Sequence, residues 1–405
     1  MNRIIRIFTP ADPPFIPMNF TRMPVVHRFW YGGLVAALAG FVLGFGLWTW
    51  QHGYLLVEWN YFLVRLWHAR IQIEGFVGSF LLGFALQSGP HVAGGQPPPS
   101  SVLLQILPVL WAGLLLSLSP YDPVALVGQV LVSGAYGAAG YFLLRVTLGG
   151  NPMLRVPRGI PLAAGITLMA TTPWLELDDP GIALFILWCG PVTVAMVAGQ
   201  QLINNVLGGR VLQGSWGIGF TGLTLLAWLL SAMAAFHAQG SWRLAALAWL
   251  AQMAVLLAGT GFVPALRNAA SWLSIHVTLT SGLAFGLASA LVLLAGEGLA
   301  LQDVALHLLA AGMLTTLIVG VSVRVAGFFS AGAVLPDQLT SYLLLLWAVV
   351  AGVRSLSPLL PMEEYWTVAL SLLGMLLLLV WGGRTAYRLT RIHRLLPAAI
   401  TGKKS

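Results

Sequence analysis

Charge is what this chain most lacks. Only 8% of its 405 residues are Asp, Glu, Lys or Arg, against roughly 25% in ordinary soluble proteins. Twenty basic and twelve acidic side chains leave a formal charge of +8. So few charges cannot solvate the surface of a chain this long. That excludes a soluble globular domain, a disordered chain and a nucleic-acid-binding protein with a solvated basic surface. Cysteine is almost absent as well. The single Cys189 lies in an apolar run, so there is no intramolecular disulfide and no Cys-rich zinc site. It is expected to be a small buried residue. Several motifs are missing. No Gly-rich phosphate loop precedes a Lys-Ser or Lys-Thr pair, so nothing points to ATP coupling. There is no His-Glu-x-x-His, and no Cys-x-x-Cys-His, so any haem would be held without covalent attachment. No polar stretch is long enough to bury a core of its own, which argues against a soluble domain.

What the chain has instead is apolar length. Hydrophobic residues make up 58% of it, with a mean hydropathy of +0.86. About 20 mostly apolar residues cross a bilayer as a helix. Runs between Pro, Gly and charged clusters give twelve candidates. They cover 29–51, 67–88, 101–119, 122–148, 159–175, 180–203, 216–237, 242–262, 271–296, 303–326, 338–359 and 364–388. Open sheets are excluded because unpaired backbone cannot sit in hydrocarbon. A barrel is excluded because the runs are continuous rather than alternating. The expected fold class is therefore all-α, a polytopic integral membrane bundle of about twelve transmembrane helices. Residues 1–28 read as a Pro-rich basic arm, 29–388 as the membrane domain and 389–405 as a basic tail. The N-terminus does not read as a cleavable signal, since the first apolar run is itself long enough to span.

The charges give an orientation. Lys and Arg concentrate in cytoplasmic segments. With both ends inside, sixteen basic residues fall in inner segments, among them Arg3, Arg6, Arg155, Arg158, Arg210, Arg267, Arg384 and Lys403. Nine acids, including Glu58, Asp178, Glu297 and Asp303, fall outside. The outer basic residues are Arg65, Arg70, Arg243 and Arg354. A miscount of one span would invert every later loop and destroy this separation. The basic tail is expected to orient the chain and to meet anionic lipid.

An ionisable residue inside a membrane helix is costly, so its presence asks for a role. Arg70 and Glu74, four apart in the second span, are placed to pair, either structurally or as part of a proton path. Glu74 is the one acid left within the membrane. His68 and His307 lie near the outer face, whereas His276 lies near the inner one. Such layers suit metal or haem ligands, because neutral imidazole is the commonest metal ligand. A helix cap or a carbonyl hydrogen bond explains a lone His equally well. Arg324, seventeen residues after His307, sits about 25 Å further along the helix. Gly numbers 46, which permits close helix packing.

Four stretches together resemble the NnrS family of bacterial membrane proteins. Pro24-Val25-Val26-His27-Arg28-Phe29-Trp30 resembles its opening segment. Trp67-His68-Ala69, then Gly75-Phe76, Gly83-Phe84 and Gly89-Pro90, is similar to its Trp-His-Ala motif, its Gly-Phe steps and its exit loop. Trp272-Leu273-Ser274-Ile275-His276 resembles its Leu-Trp-x-Leu-His segment. Ala305-Leu306-His307 with Arg324 resembles its later Ala-Leu-His helix. Two family positions differ. Arg70-Ile71 stands where the family has His and Glu, and the late Gly-His-Thr-Gly-Arg sequence is replaced across Val325 to Gly332. The resemblance implies a haem- and copper-containing protein of the bacterial cytoplasmic membrane, linked to nitric oxide and nitrosative stress. By the same resemblance His68, His276 and His307 are cofactor-site candidates, His68 and His307 are metal ligands, and Arg324 pairs with a haem propionate. Twelve spans also fit a secondary transporter of a small metabolite. An assembly subunit of a respiratory complex is the third reading.

Overall fold

A backbone segment in hydrocarbon must satisfy its own hydrogen bonds, which a helix does and an isolated strand cannot. All twelve apolar runs are helical in the computed structural model, which describes residues 23–51, 60–96, 100–237, 241–268, 273–329, 336–359 and 364–401. No strand occurs among the described residues. The helices are α1 (Met23–Gln51), α2 (Tyr61–Gln87), α3 (Ser100–Ser117), α4 (Asp122–Gly149), α5 (centred on Ile160–Leu168), α6 (Pro180–Leu207), α7 (Gly214–Phe236), α8 (Trp242–Thr260), α9 (Ser274–Ala295), α10 (299–329), α11 (Asp337–Leu356) and α12 (Glu364–Thr401). Ten of them are long and apolar enough to cross a membrane. The chain is thus a multi-pass, all-α membrane protein. The other two are α3, 18 residues with Pro108 inside, and α5. The latter is assembled from a π turn Arg155–Gly159, an α segment and a 3₁₀ segment Met169–Trp174.

Two boundaries differ from the sequence reading. Helix α1 begins at Met23, inside the expected arm, because Pro24 sits in the first turn, where its missing N–H costs nothing. Helix α12 continues through Thr401, past the expected end at 388. Arg384, Arg388, Arg391 and Arg394 recur at helical spacing, and Arg is a good helix former. Helicity does not stop where apolarity stops. The rest of the arm, Trp272 and the stretch 330–335 lie outside the described residues, as do the side chains of His27 and Arg324.

Polar contacts define two levels in the bundle. Arg70 of α2 donates to Ser117 O (3.1 Å) at the end of α3 and to Pro173 O (3.0 Å) at the end of α5. At the opposite end, Arg158 in the π turn that opens α5 donates to Gln201 Oε1 of α6 (2.9 Å) and to Val92 O after α2 (3.5 Å). Helix α5 therefore runs between the same two levels as α2. Small residues set the close approaches. A Cβ on Gly113 of α3 would lie 2.8 Å from the Val132 backbone nitrogen of α4, and one on Gly165 of α5 would lie 3.1 Å from Gly190 O of α6. Such contacts between membrane helices need small residues.

Burial separates the helices into a centre and a ring. Of the ten long spans, α6 is 83% buried, α2 72% and α10 61%, and the others range from 28% to 50%. Each of the three central helices carries a π-helical segment: Ile71–Val77 in α2, Trp188–Val192 in α6 and Leu308–Leu314 in α10. They are the second helix in each successive group of four. The third and fourth helices of each group, α3–α4, α7–α8 and α11–α12, pack side by side. The ring turns Leu126, Val127, Leu225, Leu229, Leu244, Tyr342 and Val349 outward, as lipid contact requires.

Candidate functional site: a histidine cavity at one end of the bundle

The central helices do not close completely on one another. At the end marked by Arg65, Asp178, Asp303 and Arg354 they leave a cavity of about 200 Å³, lined mainly by α1, α2, α6, α10, α11 and α12. His68 of α2 and His307 of α10 both face it. The wall is otherwise largely apolar and aromatic, with Phe41 and Trp347 in edge contact at 5.6 Å.

The two imidazoles are held alike. His68 Nδ1–H donates to Gly40 O of α1 at 2.7 Å, and His307 Nδ1–H donates to Asp303 O at 2.8 Å. A carbonyl oxygen only accepts, so each bond fixes the proton on Nδ1. The lone pair of each neutral ring is then on Nε2. A ligand histidine is usually oriented by such a bond. His307 gains more, because Asp303 Oδ2 also lies 3.4 Å from the same Nδ1. Space for the His68 ring is made by glycine: a Cβ on Gly44 would come within 2.7 Å of His68 Cε1. Arg65 Nη2 lies 3.9 Å from Asp303 Oδ1, and Arg354 Nη1 donates to Ser357 Oγ at 3.2 Å.

The remaining residues singled out in the sequence lie elsewhere. His276 is buried at the far end of the bundle, in the first turn of α9. Its Nδ1 accepts the Leu273 N–H at 3.0 Å, so its lone pair is already used as a helix cap. Asp337 of α11 completes that cap by accepting from Ser274 N (2.9 Å) and Ser274 Oγ (2.6 Å). His276 therefore does not join His68 and His307. Arg324 belongs to the other end of α10, about 25 Å from His307 by helical rise, and its side chain lies outside the described residues. Arg65 and Arg354 are the basic groups of the cavity.

Arg70 and Glu74 face away from the cavity, toward α3, α4 and α5. They form no ion pair within 4.0 Å. Arg70 spends its terminal nitrogens on the two helix-end carbonyls. Glu74 is fully buried with neither carboxyl oxygen hydrogen-bonded, and Arg70 Nε is unpartnered too. A π turn between them changes the register that an α-helical i,i+4 pair needs.

The donor chemistry suits a haem iron better than copper. Two Nε2 lone pairs and two guanidinia supply what axial ligation and propionates ask for. For copper, no group of three His, Cys, Asp or Glu able to hold a metal ion occurs among the described residues. The volume is smaller than a macrocycle needs, since even drug-sized ligands take roughly 300 Å³ or more. A haem would have to displace part of the aromatic wall. No protein-family model matches the chain, and no curated protein matches it.

Proposed function

We propose that the chain is a divergent NnrS-like protein of the bacterial cytoplasmic membrane that binds a b-type haem at the His68–His307 cavity and handles nitric oxide. In this reading it crosses the bilayer twelve times with both ends inside. The observation that carries it is the pairing itself. Two imidazoles from helices far apart in sequence line one intramembrane cavity, each with Nδ1–H on a carbonyl and Nε2 left as the donor. A bound haem would supply an iron able to take NO, with pocket polarity and access deciding between binding and turnover. His307, backed by the Asp303 carbonyl and carboxylate, would be the stronger ligand of the two. His68, backed by one carbonyl, would hold the iron less firmly. Copper, which the resemblance also implies, draws no support from the donor set.

The test is an absorption spectrum of the purified protein in mild detergent, oxidised and reduced, with metal analysis. A Soret band that shifts with NO and is lost in His307→Ala supports the proposal. Absence of both Soret band and bound iron overturns it. The cavity's size favours a second reading, transport of a small polar solute. Arg65, Asp178, Asp303 and Arg354 offer both signs of charge within about 200 Å³. Substrate-dependent flux in liposomes, without a Soret band, would establish that reading instead.

A further inference from the structure

A second pocket, about half open, lies deeper in the bundle, toward the His276 end. It measures about 110 Å³ and sits where the three central helices meet. Its wall is apolar, built from side chains such as Phe80, Phe84, Leu202, Leu317 and Ile318. The polar groups at it are Gln87, Ser88 and Ser322, all at one end, and the Ser322 hydroxyl already donates to Val319 O at 2.9 Å. Three small residues on one face of α6, Ala195, Ala198 and Gly199, leave the space open.

The two voids share a wall residue, Val77. On each central helix the partition falls at the end of the π segment. In α2 that segment ends at Val77, in α6 at Val192 beside Pro191, and in α10 at Leu314 beside Thr315. Leu187 and Thr315 face the histidine cavity, and Pro191 and Leu314 face the apolar void. A π turn is a wider, less regular turn than the α-helix around it and is found mostly at functional positions. Three of them at one depth make this partition the least regular layer of the core.

We infer that the apolar void is a holding site for a small uncharged gas and that it opens on the histidine cavity at Val77. The occupant follows from size and lining. Apolar space of roughly 150 Å³ takes benzene or xenon, so about 110 Å³ with this lining suits a diatomic or noble gas. An ion finds no ligand cage in it. Water lacks the two to four polar partners it needs in the apolar part. The destination rests on the proposed haem reading, whereas the gas site does not.

The experiment separates the two. Crystals of the full chain are pressurised with xenon, and anomalous scattering locates bound atoms. Xenon among Phe80, Ala198 and Leu317 is expected, with occupancy lost in Ala195→Phe and in Ala198→Phe. An empty void in the wild type overturns the proposal. The second arm uses haem-loaded protein and follows carbon monoxide rebinding after flash photolysis. Rebinding about tenfold slower in either variant, with the Soret band unchanged, supports the connection at Val77. Unchanged rebinding in both variants overturns it. Bound xenon in a protein without any Soret band would uphold the gas site while removing the haem reading. Two substitutions are used so that poor folding of one leaves the other to decide.

Discussion

Which ring nitrogen is already engaged separates the three membrane histidines. His68 and His307 donate from Nδ1 and keep an Nε2 lone pair, whereas His276 accepts at Nδ1 and acts as a cap. His276→Ala should therefore leave any Soret band in place. It should lower thermal stability in detergent by about 1 kcal/mol, the usual cost of losing a helix cap. Loss of the band in that variant would return His276 to the cofactor site. The Arg70–Glu74 pair is the second residue-scale case. Arg70→Met leaves the Ser117 and Pro173 carbonyls without donors and should cost about 2–3 kcal/mol. Glu74→Gln exchanges a fully buried carboxyl for an uncharged amide of the same shape, so its melting temperature should equal or exceed the wild type's. A thermal melt of both variants checks the asymmetry. Sequence made all five residues visible, because charge inside a membrane helix is rare. It did not show which of them share a cavity, since that depends on α2 lying near α10, more than two hundred residues away. Arg65 and Arg354 did leave a signal. They are basic residues on the acidic side, and both line the histidine cavity.

Helices were legible because lipid permits little else, and each of the twelve apolar runs became one. Their irregularities were not legible. A π turn and an α turn are written in the same apolar residues, and Ile71–Val77 or Leu308–Leu314 carries no compositional mark. What selects the π form is tertiary packing around the centre, where α2, α6 and α10 are most buried. The close contacts are better marked, by glycine. Gly113 and Gly128 let α3 and α4 approach backbone to backbone, and a Cβ on Gly128 would run into the Ser117 and Leu116 backbone. Backbone atoms cannot rotate aside, so Gly128→Val should force the helices apart. Overpacking of this kind typically costs about 1–3 kcal/mol. The expected readout is a lower melting temperature, with Gly134→Val as the control because a Cβ there meets nothing within 4 Å. Equal behaviour of the two variants would mean that the hairpin tolerates the separation.

At the scale of the molecule, the helices follow a plan by fours. The second helix of each group is central and π-containing, and the third and fourth form a hairpin in the surrounding ring. This plan requires α3 and α5, the two helices not long or regular enough by themselves, to cross like the others. Their ends support it: Ser117 and Pro173 share the level of Arg70, and Arg158 meets Val92 and Gln201 at the other. Arg70 then acts as the common cap that lets two shorter helices stop within reach of the outer face. The alternative, in which neither crosses, reverses only the segment around α4. Cysteine labelling separates the two. The native Cys189 has no exposed surface, so the wild type should resist a membrane-impermeant maleimide and serve as the background. Tyr121 and Asn151 are exposed at opposite ends of α4. In intact cells Tyr121→Cys should label from outside, and Asn151→Cys only after permeabilisation. The reverse pattern would reduce the crossings to ten and detach α3 and α5 from the repeat.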